Sequence, residues 1–123
     1  MGFRLLMLST AAPGVGGSSY QDEEWPKRLR EIIPDIMVDV CHSTEQAMGP
    51  IQEADAVFGD VVPELFGRAR KLRWISCQAA GPRAGYYHKA LVESDVTVTN
   101  VRGIYNDHIG AHIMSFVLAF ARG

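Results

Sequence analysis

The stretch "LRWISCQAAGPRAGYYHKALVESDVTVTNVRG", residues 72–103, joins two apolar runs through a loop of small residues. The runs at 72–77 and 96–101 are rich in β-branched and aromatic residues and lack strict alternation, which is typical of strands covered on both faces. The loop "QAAGPRAGYY" follows Cys77 directly. The stretch therefore predicts two parallel strands, with a ligand-accessible loop at the carboxyl end of the first.

The chain before this stretch alternates strand and helix in the same way. Apolar runs of strand length lie at residues 4–8, 36–41 and 54–58. Helical segments separate the runs, at residues 26–33, 43–51 and 63–70. This order predicts an α/β fold: an open parallel sheet of about five strands with helices on both faces.

Two of these helices carry clear local signals. Pro26 fits only an opening turn, so the first helix is predicted to begin after the acidic run 22–24. The second is predicted to open with a capping box, because Ser43 and Gln46 can each satisfy a free backbone N–H. The predicted apolar face of the first helix consists of Trp25, Leu29, Ile32 and Ile33.

The last segment, residues 106–122, is apolar on every side of a helix, and either Asn106 or Asp107 is predicted to cap it. A helix of this kind needs more covering surface than one small domain offers, so we expect it to pack against another domain or subunit. The run is too short to cross a membrane, which takes about 20 apolar residues. The uncovered helix also predicts self-association, most simply as a homodimer.

Composition narrows the class of protein. The chain has 123 residues and a formal net charge of -2, which fits one domain without the basic field that nucleic acids require. Cys41 and Cys77 have no metal-ligand spacing and predict two buried thiols in a cytoplasmic protein. His108 and His112 lie one helical turn apart but have no third ligand, so no metal site is predicted.

The glycine-rich loop before residue 20 imitates a nucleotide-binding turn. Gly14 and Gly16 fit the dinucleotide fingerprint, but Ser19 occupies the third glycine position and no lysine follows. A helix beginning only after residue 24 would also leave the loop too long to direct backbone N–H groups at one phosphate. Asp39, at the spacing of a ribose-binding acid, lies inside a predicted strand. We therefore predict no cofactor site here.

Residues 72–123 resemble the substrate-binding domain of the NAD(P)-dependent D-isomer-specific 2-hydroxyacid dehydrogenases. The strand, the loop with Gly81, the run "ESDVTVTNVRG" and the helix ending "LAFARG" carry the resemblance. It implies a flavodoxin-like substrate-binding domain over residues 1–105. It also implies that residues 106–123 form a crossover helix into a Rossmann domain that binds NAD or NADP and lies outside this chain.

The resemblance also implies a site for a small 2-hydroxy or 2-keto acid. The backbone N–H groups of Ala80 and Gly81 would hold the substrate carboxylate, and Ile104, Tyr105 and Asn106 would line the cleft. Two segments depart from the family pattern. Gly110, Ala111 and His112 stand where the family has Ala-Glu-His, and Pro82 and Arg83 stand where it has Val-Asp.

The family's catalytic Arg, its His acid/base with an acidic partner, and its glycine fingerprint match no residue of this sequence. The expected function is therefore substrate binding within an oxidoreductase that interconverts D-2-hydroxy and 2-keto acids, with no turnover by this chain alone. The alternative is a free-standing flavodoxin-like binding or interaction module that uses the apolar helix to join a partner.

Overall fold

Five short strands form the centre of the molecule. The structure, a computed structural model, describes residues 2–8, 19–81 and 84–123, and the side chains of residues 19–23 are not described. The strands are β1 (Arg4–Leu8), β2 (Met37–Cys41), β3 (Ala56–Phe58), β4 (Trp74–Cys77) and β5 (Thr97–Asn100). Each lies within a run that the sequence predicts as a strand.

The strands pair in the order β2-β1-β3-β4-β5, and every pairing is parallel. The change of direction at β1 is that of a doubly wound, flavodoxin-like sheet, in which ligands bind beyond the carboxyl ends of the strands. The predicted fold class is therefore confirmed. It also follows that the loops after β3, β4 and β5 lie at the same edge.

Helices cover both faces of this sheet. They are α1 (Ser19–Ile32), α2 (Thr44–Ala47), α3 (Pro63–Phe66), α4 (Lys89–Val92) and α5 (Asn106–Arg122), with a 3-10 turn at Pro50–Glu53. Fully buried Leu6, Val57 and Ile75 face α2, α3 and α4, whereas Met7 and Val38 face the other way and pack with Leu29 of α1. Successive side chains of β1 point to opposite faces of the sheet, so the core consists of two layers, one on each face.

The capping box of α2 is confirmed. The Ser43 hydroxyl accepts from the Gln46 N–H at 3.3 Å, and the Gln46 side-chain oxygen accepts from the His42 N–H at 2.9 Å. The helix ends before Gly49 and Pro50, as the sequence indicates.

The predicted start of α1 was wrong. The helix begins at Ser19, which places Pro26 in its interior, where one backbone hydrogen bond is lost. Tertiary packing outweighs this loss, because Pro26 is buried and the Trp25 ring lies 5.7 Å from that of Phe58. The predicted apolar face is only partly buried, since Ile32 remains 66% exposed.

Asp55 joins three strands at the amino edge of the sheet. Its carboxylate accepts from the backbone N–H of Arg4 at 3.0 Å and from the Arg73 guanidinium at 2.9 Å. Its own N–H donates to the Arg4 carbonyl, and its carbonyl accepts from the Arg73 N–H, both at 2.9 Å. The hydrogen bond from the Arg4 backbone, with the nearby Arg73 charge, lowers the pKa of Asp55.

Replacing Asp55 with asparagine is expected to lower the free energy of unfolding at pH 7 by about 1–2 kcal/mol, because a charge-assisted hydrogen bond and an ion pair are weakened. Since the folded-state pKa is depressed, Asp55 stabilises the fold fully above its unfolded pKa of about 3.9 and loses this effect as the pH falls through the folded value. Urea unfolding from pH 7 to pH 3 should therefore show a shallower acid loss in D55N. Exposed Glu93, whose ion pair with Lys89 spans 3.8 Å, gives the control E93Q. Identical acid profiles for D55N and the wild type would contradict the prediction.

Candidate site at the carboxyl edge of the sheet

Gly59 directs the chain from β3 into the edge loops. Its φ of +132° is favourable only for glycine, and a Cβ at this position would lie 2.9 Å from both the Cβ and the carbonyl oxygen of Leu8. Its N–H donates to the Ser76 carbonyl at 3.0 Å. The turn therefore sits tightly between β1 and β4, and it delivers Asp60 and Val61 to the edge where ligands bind in this architecture.

The loop after β4 presents Ala80 and Gly81 at this edge. Both residues are exposed, and the Ala80 carbonyl accepts from the Asn100 side chain at 3.0 Å, which ties the loop to the end of β5. Within the described part of the chain, neither the Ala80 N–H nor the Gly81 N–H donates a hydrogen bond. Two adjacent unbonded N–H groups are suited to an anion such as a carboxylate. That these two groups bind substrate stays a prediction, and Pro82 and Arg83 lie outside the described residues.

Ile104, Tyr105 and Asn106 follow β5 along the same edge. Ile104 and Tyr105 are more than half exposed, and that they line a substrate cleft stays a prediction. The prediction that Asn106 or Asp107 caps α5 was wrong. Tyr105 occupies the N-cap position without a side-chain hydrogen bond, and Asn106 is already the first helical residue. Asp107 lies in the first turn, where its charge still complements the helix dipole.

A cavity of about 180 Å³ lies beside the loop that follows β4. Residues 60–63 after β3 form one wall and residues 84–86 form the other. The first wall, residues 60–63, was not predicted from the sequence. Gly59 and Asp60 directly follow the apolar run of β3. They were the available sequence signal, because the carboxyl end of every parallel strand reaches the same edge of the sheet.

Tyr86 lines the cavity and also belongs to the buried core, and His88 follows it two residues later in the chain. Tyr86 is only 6% exposed, and burial raises the pKa of its hydroxyl. His88 caps α4, since its Nδ1 accepts from the Leu91 N–H at 3.3 Å. Among the described residues, the buried His88 Nε2 has no hydrogen-bond partner, whereas the buried Tyr86 hydroxyl lies beside the Cys77 side chain, which also raises its pKa.

Asp39, the residue at the spacing of a ribose-binding acid, is held within the sheet. Asp39 lies inside β2, and its carboxylate pairs with the Arg4 guanidinium at 2.7 Å. The glycine-rich loop itself lies outside the described residues. The predicted long connection from this loop to a helix after residue 24 was wrong, because α1 begins at Ser19.

The remaining candidate groups contribute no ligand set. Cys41 and Cys77 are buried and unpaired, as predicted. The imidazole of His112 contacts the Phe116 ring, with centroids 4.8 Å apart. Residues 2–8, 19–81 and 84–123 contain no cluster of three His, Cys, Asp or Glu side chains that could hold a metal ion. No helix in these ranges is long and apolar enough to cross a membrane.

No protein-family model and no curated protein matches the chain. Among solved structures it is similar to a D-isomer specific 2-hydroxyacid dehydrogenase family protein from Aeromonas salmonicida subsp. salmonicida A449. The two share 23% sequence identity and a TM-score of 0.69, over 98% of this chain and 36% of the other. The chain thus spans about a third of that protein's length. At this identity, the similarity shows that the chain has the fold of that part of the dehydrogenase family protein.

Proposed function

We propose that this chain is the substrate-binding domain of an NAD(P)-dependent D-2-hydroxyacid dehydrogenase. The observation that carries the proposal is the fold similarity over 98% of the chain to one segment of a protein of that family. The exposed pair of N–H groups at Ala80 and Gly81 supports it, because they lie at the sheet edge where a small acid would bind.

In this proposal, the chain binds and orients the substrate. The two N–H groups donate to the carboxylate of a 2-keto or 2-hydroxy acid, and such charge-assisted bonds are stronger than neutral ones. The next carbon of the acid then faces the cleft bordered by Ile104, Tyr105 and Asn106. NAD or NADP, held by another domain, would accept or supply the hydride.

The proposal assigns α5 to the junction with that second domain. None of its 17 residues is buried. We also propose that the protein is cytoplasmic and forms a homodimer, with α5 contributing to contacts between folded units. The alternative function, a free-standing interaction module, is favoured by the same exposure of α5. Ligand binding at the loop after β4 separates the two, because only the dehydrogenase domain requires it.

The test is an NMR titration of the isotope-labelled chain with pyruvate and, separately, with pyruvamide. Pyruvamide has the same shape but lacks the carboxylate. Pyruvate is expected to shift the amide signals of Ala80 and Gly81, and pyruvamide to leave them in place. Equal responses to the two compounds, or no response to pyruvate, would refute the proposed function and favour the interaction module.

Replacing Gly81 with alanine is expected to weaken pyruvate binding about tenfold or more, because a methyl group would occupy the space from which the carboxylate approaches its donors. The folded protein should tolerate the change, since a Cβ at this position meets nothing within 4 Å. A Cβ at Gly49 would also meet nothing within 4 Å, and Gly49 lies just beyond the carboxyl end of α2. G49A is therefore the matched control. Unchanged affinity in a stably folded G81A would contradict the assigned carboxylate position.

A further inference from the structure

The two outer edges of the sheet differ in how their backbone groups are covered. At the β2 edge, the Arg30 guanidinium of α1 donates to the Val38 carbonyl at 2.7 Å. The Met37 N–H donates inward to the Phe3 carbonyl at 2.9 Å, so the backbone of Val38, the next residue, faces outward. A charged side chain thus occupies an outward acceptor at this edge, which is one way in which proteins prevent the addition of a further strand.

The β5 edge has no such cover in the described part of the chain. β5 pairs there with β4 alone, and the Thr97 N–H donates to the Arg73 carbonyl at 2.9 Å. Thr97 and Thr99 therefore direct their backbone groups toward β4, whereas Val98 and Asn100 direct theirs outward. Within residues 2–8, 19–81 and 84–123, no hydrogen bond occupies the outward N–H and carbonyl groups of Val98 and Asn100.

The composition of β5 favours pairing with another strand. Threonine and valine have a high β propensity, and the strand contains no proline or charged residue that would block an added strand. All of its residues are exposed or half-buried. The free edge begins after Val96, since the Val96 N–H already donates to the Ser94 hydroxyl at 3.3 Å. Val98 and Asn100 are therefore the residues that an added strand would bind.

We propose that β5 pairs antiparallel with β5 of a second copy of this chain, so that the two sheets join into one continuous sheet. The free groups fix the register of the pair. Val98 of each copy lies opposite Asn100 of the other, so the outward groups of both residues find partners. Thr99 then faces Thr99 of the second copy across the twofold axis.

Charges at the two ends of β5 favour the antiparallel arrangement. Asp95 precedes the strand and Arg102 follows it. Both residues are exposed, and neither forms an ion pair with another described residue. Antiparallel pairing brings Asp95 of each copy to the end of the strand pair where Arg102 of the other copy lies. Parallel pairing would instead bring like charges together, which is unfavourable.

This contact extends the proposed homodimer and is independent of substrate binding. α5 follows β5 in the chain, so one twofold axis can bring both elements against the second copy. The β5 contact requires neither a carboxylate site at Ala80 and Gly81 nor a cofactor domain. Its failure would leave the pyruvate titration unaffected, and failure of that titration would leave the β5 contact standing.

The first test is amide hydrogen exchange of the full chain, followed by NMR from micromolar to millimolar concentrations. The Val98 and Asn100 amides are expected to exchange at least about tenfold more slowly at the highest concentration, because association follows mass action. The outward Val40 amide of the β2 edge is the internal control and should not change. If the Val98 and Asn100 amides exchange at the same rate at every concentration, whether fast or slow, the proposal is overturned.

The second test blocks the edge with proline. V98P removes an outward N–H without removing a hydrogen bond to β4, and edge strands tolerate proline at such positions. It is expected to weaken the dimer at least about tenfold in sedimentation equilibrium, because each copy loses one donor to the other. V40P makes the same change at the β2 edge and is the matched control. Equal effects of the two variants, or none from V98P, would contradict the β5 contact.

A third test uses charge at the twofold axis and does not depend on proline. T99K and T99E each place like charges opposite one another, so each is expected to weaken association at least about fivefold. An equal mixture of the two variants should restore it, because lysine then faces glutamate. T97K changes the same face of β5 without meeting a like charge and is the control. A mixture that associates no better than either variant alone would overturn the proposed pairing.

Discussion

Replacing Gly59 with alanine is expected to remove at least about 3 kcal/mol from the free energy of unfolding, a large share of the 5–15 kcal/mol typical of a domain. The new Cβ would lie 2.9 Å from the Cβ and the carbonyl oxygen of Leu8. Leu8 belongs to β1, an interior strand that pairs with β2 and β3, and Leu8 itself pairs with Cys41 of β2, so neither atom can move without disturbing the sheet. The φ of +132° adds backbone strain that alanine cannot relieve.

The measurement is urea unfolding of G59A, followed by circular dichroism and tryptophan fluorescence. G49A again serves as the control, because Gly49 has a φ of -79° and open space around it. The control should unfold within about 0.5 kcal/mol of the wild type, since its effect is limited to chain entropy. A G59A protein as stable as G49A would show that the turn after β3 does not press against β1.

The sequence predicted the sheet well because its signal is local. Five apolar runs of strand length needed no knowledge of the fold to be recognised, and α5 was located to the residue from its composition. The position of the loop after β4 at the ligand-binding edge followed from parallel topology alone. The choice of Ala80 and Gly81 within that loop came from the family resemblance.

The failures came from interactions that are distant along the chain. The start of α1 was misplaced because the rule for Pro26 is local, whereas its burial and the contact of Trp25 with Phe58 are tertiary. The cavity was missed because residues 60–63 and residues 84–86 meet only when β3 and β4 pair.

The second large effect concerns the surface of α5. Seven large apolar side chains on this helix are 52% to 86% exposed: Ile109, Ile113, Met114, Phe116, Val117, Leu118 and Phe120. A symmetric pair of chains would bury apolar side chains of this helix from both partners, as stable interfaces between subunits do. We expect the chain on its own to dimerise through α5, and the double variant I113E/F116E to weaken the dimer at least a hundredfold by burying two unpaired charges.

Sedimentation equilibrium over micromolar to millimolar concentrations measures this effect directly. Ile32 on α1 is also highly exposed, at 66%, so I32E places one glutamate on a different helix and should leave the dimer intact. Circular dichroism must show that I113E/F116E remains folded, which we expect because α5 contributes no buried residue. A wild-type chain that stays monomeric at millimolar concentration would contradict the prediction. Equal weakening by I32E would instead show that the dimer contact does not lie on α5. If the chains pair specifically through α5, only charge on that helix should weaken the dimer.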